Sequence, residues 1–434
     1  MQSGGPPADP EAPSRIWWLP ATFSSLRHYN YRLFFFGQLI SLTGTMMQGA
    51  AIGWLVYQLT NSKELLGTIS ALRALPILLF SIFGGVIADR YPKRRTLVFT
   101  QVASMALAFV LATLLFLNII VVWQIVVIGI LSGFVLAVDI PTRQSFVVEM
   151  VGVGDMNNAI ALNSSMFNAA NIIGPAVGGL TMARMGMGWC FLLNGLSFIA
   201  VIAGLLMMRI TPQIKPRSSQ SALRQAVEGF SLVMHRPSVR GLLMFVAVMG
   251  VFGGSYGVLM PVFAKDILHA DEKGYGLLLA ASAVGAFPGA LIVASLAQIR
   301  HRSRLIIIGV MLFSATLFFF ASATTFLLAA VCLVGVGAGW IFMMSTANTL
   351  LQNSVPHEAR GRVMGVWALT FVGATPIGSY QIGLMADRFG APRAVQFGAV
   401  ICAVAGLFAM YAVMKRRRLS VASNGAEPPP ASPS

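Results

Sequence analysis

Charge is what this 434-residue chain has least of: charged side chains make up 10% of it and hydrophobic ones 56%, against about 25% charged in an ordinary soluble domain. That composition excludes a water-soluble fold of the usual kind. Acidic residues are scarcer still, 14 in all, and none falls near the middle of a long apolar run. The five histidines, His28, His235, His269, His301 and His357, sit in loops or at helix ends without a His-x-x-His or Glu-x-x-His pair. Neither a metal set nor a nucleophile with its base can be assembled from them, and no Walker lysine motif offers direct ATP coupling. Only three cysteines occur, Cys190, Cys332 and Cys402, each inside an apolar stretch. They read as small core residues rather than disulfides or metal ligands. The chain therefore calls for no enzyme chemistry, no metal and no cofactor.

What is present is a series of apolar segments of spanning length, centred near Gly44, Pro76, Leu107, Gly129, Ile172, Ser197, Phe252, Val284, Leu312, Gly335, Val372 and Ala403. At about 20 residues each, twelve spans leave room for loops and tails but for no large soluble domain. The expected class is an all-α membrane protein. The net charge of +16 is spread over short loops rather than clustered on a folded face, which argues against nucleic acid. Residues 1–24 have the Pro, Gly and Ala content of a disordered tail, without the cationic start and apolar core of a signal peptide. A first six-helix bundle is expected over 25–210 and a second over 239–415, with a linker at 211–238 and a disordered tail at 416–434. Within the linker, Leu223, Ala226, Val227, Phe230 and Val233 share one helical face beside Arg224 and Glu228, the pattern of an amphipathic helix lying along a membrane surface.

Lysine and arginine near helix ends stay on the cytoplasmic side. With the N-terminus inside, 23 cations fall on cytoplasmic regions and 6 on the outside, Arg73 being within a span. Both termini are then expected in the cytoplasm of a cell whose inner or plasma membrane the chain crosses. The halves also resemble each other. His28 to Arg32 matches His235 to Arg240, Gly85 matches Gly289, and Gln144 to Val151 matches Asn348 to Val355, all separated by roughly half the chain. Duplicated six-helix halves imply a cavity at their interface.

The segment between the second and third spans reads Gly84-Gly85-Val-Ile-Ala-Asp89-Arg90-Tyr-Pro-Lys93-Arg94-Arg95. Glycine allows close helix approach, and the loop's cations suit an anionic leaflet. Here the chain resembles the major facilitator superfamily, whose loop follows Gly-x-Leu-Ala-Asp-Arg-x-Gly-Arg-Lys; Gly85, Asp89, Arg90, Lys93 and Arg94 match, with Ile87 for the leucine and Pro92 for the second glycine. The resemblance implies a conformational latch, with Asp139 placed to receive a loop cation. Asp139 and Arg143 also stand one helical turn apart, an ordinary local ion pair. The run Asp139-Ile-Pro141-Thr-Arg143-Gln144, then Asn158 to Ser164, and Val355 to Met364 resemble a narrower branch, the transmembrane secretion effectors that include enterobactin-exporter-like proteins. That resemblance spans essentially residues 25–415.

In the fifth span, Ala170-Asn-Ile-Ile-Gly174-Pro175-Ala-Val-Gly178-Gly179 is similar to the antiporter signature of the same superfamily and implies export, with siderophore-like or multidrug cargo and protons as coupling ion; uptake and lipid movement stay open as alternatives. By residue chemistry alone it describes a bent, closely packed helix. Polar stripes recur at helical spacing: Gln38, Ser41, Thr45 and Gln48; Ser164, Asn168 and Asn171; Trp367, Thr370 and Gln381. Each faces another helix or water. Arg73 lies about 12 Å from the outer end of the second span by helical rise. It snorkels to the surface or lines a cavity where an anionic substrate or a carboxylate pairs with it. The expected partners are thus a small-molecule substrate, protons and the bilayer, by a carrier rather than a channel; nothing in the sequence sets the oligomeric state.

Overall fold

Apolar runs of this length have one backbone solution in lipid, the α-helix, because no water is there to pair the N–H and C=O groups. A computed structural model describes residues 21–152, 154–209, 222–295 and 302–424, and within them it contains helices and short connections but no strand. A 3-10 turn, Ala21–Arg27, leads into α1 (Tyr29–Thr60), α2 (Lys63–Arg90), α3 (Lys93–Phe116), α4 (Val122–Val151), α5 (Met156–Met185) and α6 (Met187–Met207). After α7 (Ala222–His235) comes one span of mixed geometry: α8 (Pro237–Val248), a π-helical turn Met249–Gly253, a 3-10 stretch Gly254–Leu259, α9 (Met260–Val262) and a second π turn Phe263–Ile267. Then follow α10 (Glu272–Ser295), α11 (Arg302–Ala321), α12 (Phe326–Asn353), α13 (His357–Phe389) and α14 (Ala391–Asn424). Eleven helical stretches among the described residues are long and apolar enough to cross a membrane. The twelfth, α5, is 30 residues long and is kept off that count by its polar side chains.

The chain divides into two compact units, 1–59 with 72–222, and 60–71 with 223–434. Each repeats the other's internal packing. In the first, α3 lies against α4 and α6, and in the second α11 lies against α12 and α14. Close helix approaches in each unit rest on glycine. A Cβ on Gly84 would sit 1.9 Å from the Ala137 carbonyl oxygen, bringing α2 onto α4; one on Gly285 would sit 1.9 Å from the Val334 oxygen, bringing α10 onto α12. Gly174 against Thr43 and Gly378 against Val251 form a second such pair. The reversals at Gly186 (φ +94°) and Gly390 (φ +87°) form a third, both in the left-handed region that glycine enters without penalty. Gly85 and Gly289 stand at the same spacing as Gly174 and Gly378; a Cβ on Gly85 meets nothing within 4 Å, and one on Gly289 meets Ala338 at 3.3 Å.

α7 is amphipathic, as its spacing predicts, and its buried face meets protein: Val233 joins Val239, Leu243, Val355 and Val363 in one apolar cluster. Phe230 is exposed, and Glu228 pairs with Arg362 of α13 at 3.1 Å. The side chains of Leu223, Arg224, Ala226 and Val227 lie outside the described residues, as do positions 211–221 of the expected linker and 1–20 of the expected N-terminal tail. Where an irregular tail was expected from 416, α14 continues to Asn424. Lys415 to Ala422 contain no strong helix breaker, and Gly425 and the prolines come later.

Candidate functional site

The expected latch residues separate into a buried cluster and an exposed loop. On α4, the Asp139 carboxylate is buried. It accepts hydrogen bonds from Thr100 Oγ1 at 2.8 Å and Gln101 Nε2 at 2.9 Å on α3, and pairs with Arg143 at 3.0 Å. A buried carboxylate needs this set of donors, since an unpaired one would be driven from the interior. The cation expected to reach it across the α2–α3 connection does not. Lys93 pairs instead with Glu149 of α4, and Arg94 donates to the Leu206 carbonyl at the end of α6. Asp89 and Arg90 are exposed, with no ion pair to either among the described residues.

Beyond these, the sequence reading missed a second cluster on the same unit. His28 and Asp155 meet at 2.7 Å, Ser24 donates to the same carboxylate at 2.8 Å, and the Ser25 amide donates to Asn158. Hydrogen bonds from His28 and Ser24 hold the Asp155 carboxyl below the ordinary carboxylate range. These contacts pin the Ala21–Arg27 turn to the start of α5. Tyr31 continues the seam by donating to the Ala159 carbonyl at 2.9 Å.

α5 packs tightly on α1, as its glycines require: a Cβ on Gly174 would lie 2.8 Å from the Thr43 oxygen, and one on Gly178 3.1 Å from Met47 Cγ. Pro175 lies within the helix, and Gly179 is buried beside it. In the polar stripe of α1, one residue of four bonds a neighbouring helix. Gln38 and Ser41 are buried, Thr45 donates to the Ser41 carbonyl of its own helix, and Gln48 accepts from Asn194 of α6 at 2.7 Å. On α5, by contrast, Ser164 is exposed and Asn168 and Asn171 are half-buried, with Ser164 and Asn171 bonding their own backbone. Polar groups on a spanning helix are costly against lipid and face another helix or water. On α13, Trp367 packs against the Val233 cluster, Thr370 donates to the Val366 carbonyl, and Gln381 reaches Met385 Sδ at 3.3 Å.

α2 begins at Lys63, so ten residues of helical rise put Arg73 about 15 Å along the helix. Two glycines of α4 make room for it. The Arg73 stem lies 3.7 Å from where a Cβ on Gly129 would stand, and Gly133 accommodates the Arg73 carbonyl. The residue is half-buried, and no carboxylate meets it among the described residues.

The second unit holds a cleft of about 280 Å³ that no sequence motif announced. Its floor is the irregular stretch of the seventh span, at Gly250, Gly254, Ser255 and Gly257, and its walls are Trp340 of α12 and Phe371, Thr375 and Ser379 of α13. Trp340 stands 6.3 Å from Phe371 and 5.5 Å from Phe313, ring centroid to centroid, tilted by 57° and 48°. The signal available in the sequence was the run Gly250, Gly253, Gly254, Gly257. Its small residues let the backbone come within 3.2 Å, Cβ to ring, of Trp340 at Gly254.

Residues 20–431 match the family described as transmembrane secretion effector. The staphyloferrin A transporter of Staphylococcus aureus (strain NCTC 8325 / PS 47) is 25% identical over 370 residues, covering 83% of this chain and 91% of the relative. The enterobactin exporter EntS of Shigella boydii serotype 4 (strain Sb227) is 24% identical over 401 residues, 90% of this chain and 94% of the relative. Among solved structures, the nucleoside transporter NupG shares the fold with a TM-score of 0.71 at 10% identity, covering 88% of this chain and 98% of that one. A D-xylose-proton symporter does so with a TM-score of 0.69 at 15% identity, covering 87% and 97%. The chain therefore belongs to the transmembrane secretion effector family, and is a multi-pass membrane transporter of small molecules built on the major facilitator fold.

Proposed function

We propose that this transporter exports a small amphipathic, siderophore-like molecule bearing an anionic group, by alternating access of its two halves, in exchange for protons. Arg73 carries the reading. A cation seated about 15 Å along a spanning helix, over glycines that clear space for it and with no carboxylate against it among the described residues, is costly unless something pairs with it in use. A chelator with ionised oxygen donors supplies that pair and takes it up only while bound. The likeness to an enterobactin exporter over 94% of that protein, together with the Gly174-Pro175-x-x-Gly178-Gly179 run on α5, supports outward movement. The open polar face of Ser164, Asn168 and Asn171 supplies a wet path in the same unit.

The test is transport into everted membrane vesicles with an imposed pH gradient, comparing siderophores, lipophilic cations and sugars. Export appears as accumulation of the chelator inside the vesicles, abolished by a protonophore. Accumulation that ignores the gradient overturns proton exchange, and movement confined to right-side-out vesicles overturns the direction. Arg73→Ala shifts preference from anionic toward neutral substrates, while Arg73→Lys keeps part of the anionic preference. An unchanged profile with unchanged kinetics removes Arg73 from the site.

A further inference from the structure

We propose that the cleft floored by the irregular seventh span is a recognition site for an uncharged, planar aromatic group of the transported molecule. The proposal deepens the export reading and rests on it only for the presence of an amphipathic cargo. Four observations converge on it.

The two units repeat each other's packing, yet α1 is α-helical without interruption from Tyr29 to Thr60, whereas its counterpart changes to π and 3-10 geometry between Met249 and Leu259. The break is therefore not demanded by the shared architecture. Irregular backbone within a membrane persists where it lines a cavity, and π turns inside helices recur at functional sites. This one lies along the floor of the cleft.

The walls are ring faces. At the spacing set by Gly174 and Gly378, Trp340 corresponds to Leu136 of the first unit, so the large ring belongs to the second unit alone. A flat occupant can stack or meet edge-on with Trp340 and Phe371, the arrangements that aromatic pairs favour.

The polar groups are unspent. No hydrogen bond to the Trp340 indole N–H, the Thr375 hydroxyl or the Ser379 hydroxyl occurs among the described residues. Each is free to meet a hydroxyl or carbonyl on the occupant, as in small-molecule sites where a few polar groups orient an otherwise apolar ligand.

Charge and size finish the description. No charged side chain lines the cleft, so an ionised group there would lack a counter-charge and its hydration. A volume of about 280 Å³ falls just below the roughly 300–1,000 Å³ usual for small-molecule sites. It admits one ring or two fused rings, an arm of a chelator rather than the whole of it.

Binding of tritiated 1-naphthol to the purified full-length protein, followed by scintillation proximity, tests the proposal with no ion gradient present. Saturable binding is expected, and decahydro-1-naphthol, which keeps the hydroxyl but not the flat ring, competes at least about tenfold more weakly. Trp340→Phe stays within about threefold of the parent and Trp340→Leu falls at least about tenfold, as loss of a stacking ring requires. A Cβ on Gly257 meets nothing within 4 Å, so Gly257→Leu starts from open space and adds its bulk at the cleft. It should also abolish binding while the thermal midpoint and elution volume stay those of the parent. Equal competition by the saturated alcohol assigns the cleft to any apolar chain, an acyl tail included, and overturns the aromatic claim; undiminished binding to Gly257→Leu overturns the site itself. Retained naphthol binding in a protein that moves no chelator removes the export reading alone. Gradient-driven chelator export without naphthol binding removes this one alone.

Discussion

At the scale of single residues, one position in the helix register decides what a motif glycine does. Gly84 and Gly85 are adjacent, and the superfamily pattern places its glycine at Gly85, yet it is Gly84 that lies 1.9 Å, Cβ to oxygen, from Ala137. Gly84→Ala forces α2 and α4 apart and is expected to cost about 1–3 kcal/mol by overpacking, read as a lower thermal midpoint in detergent. Gly85→Ala should leave that midpoint unchanged; equal loss in both variants would mean α2 is rotated from the position described. The two latch carboxylates divide in the same way. Asp139→Asn removes the charge that Arg143, Thr100 and Gln101 converge on, and breaking a buried pair typically costs about 3–5 kcal/mol, so reduced yield of folded protein is the expected result. Asp89 is exposed, and Asp89→Asn should leave folding and membrane level intact. A latch role for the loop then shows as slower transport, and normal turnover in that variant would refute it. The Asp155 clamp has a defined pH sense. Its folded-state pKa is lowered, so its contribution is fully present above the unfolded carboxylate value of about 3.9 and is lost as pH falls through the lower folded value. Protection of the Ser25 amide from hydrogen exchange should accordingly stay flat, as far as Asp155 is concerned, down to about pH 5. Asp155→Asn should cut that protection about fivefold, near 1 kcal/mol for a partly exposed charged hydrogen bond.

At the scale of elements, the helices were legible because apolar length reports a spanning segment directly, and the amphipathic spacing of α7 reports one buried face. Even α5, whose asparagines and serines dilute its hydropathy, was legible as an apolar segment centred near Ile172. What lay beyond the sequence was the hydrogen-bond pattern inside a helix. The i→i+5 and i→i+3 turns of Met249–Leu259 have the same apolar composition as a straight span, and hydropathy does not distinguish them. The cleft was hidden for the same reason: Trp340, Phe371 and Gly254 are far apart in sequence and meet only once three elements pack. The stripe on α1 was ambiguous in the sequence for a different reason. Gln38, Ser41 and Gln48 have the periodicity of a pore-lining face, but Asn194 of α6 takes the Gln48 amide oxygen, and an interhelical hydrogen bond produces the same spacing as a wet wall. Asn194→Leu is therefore expected to lower the thermal midpoint by removing that partner, with a small effect on transport kinetics. A large change in substrate preference instead would return the stripe to the transport path.

At the scale of the whole molecule, the bias in basic residues makes a claim that the fold by itself does not. Helical packing is indifferent to which side of the membrane each connection faces, whereas lysine and arginine near span ends resist translocation, and 23 of them against 6 favour one orientation. The natural cysteines help to test it, since Cys190, Cys332 and Cys402 are free and buried and leave the background of labelling low. Single cysteines at Leu117 and Thr324, both exposed in connections, should react with an impermeant maleimide in intact cells. Cysteines at Tyr91 and Ser354, exposed in connections one helix away in the same two units, should react only after the membrane is opened. The reverse pattern would place both termini outside. A pattern reversed in one unit only would make the number of crossings between them odd, and the duplicated six-helix arrangement with both chain ends in the cytoplasm could not then stand.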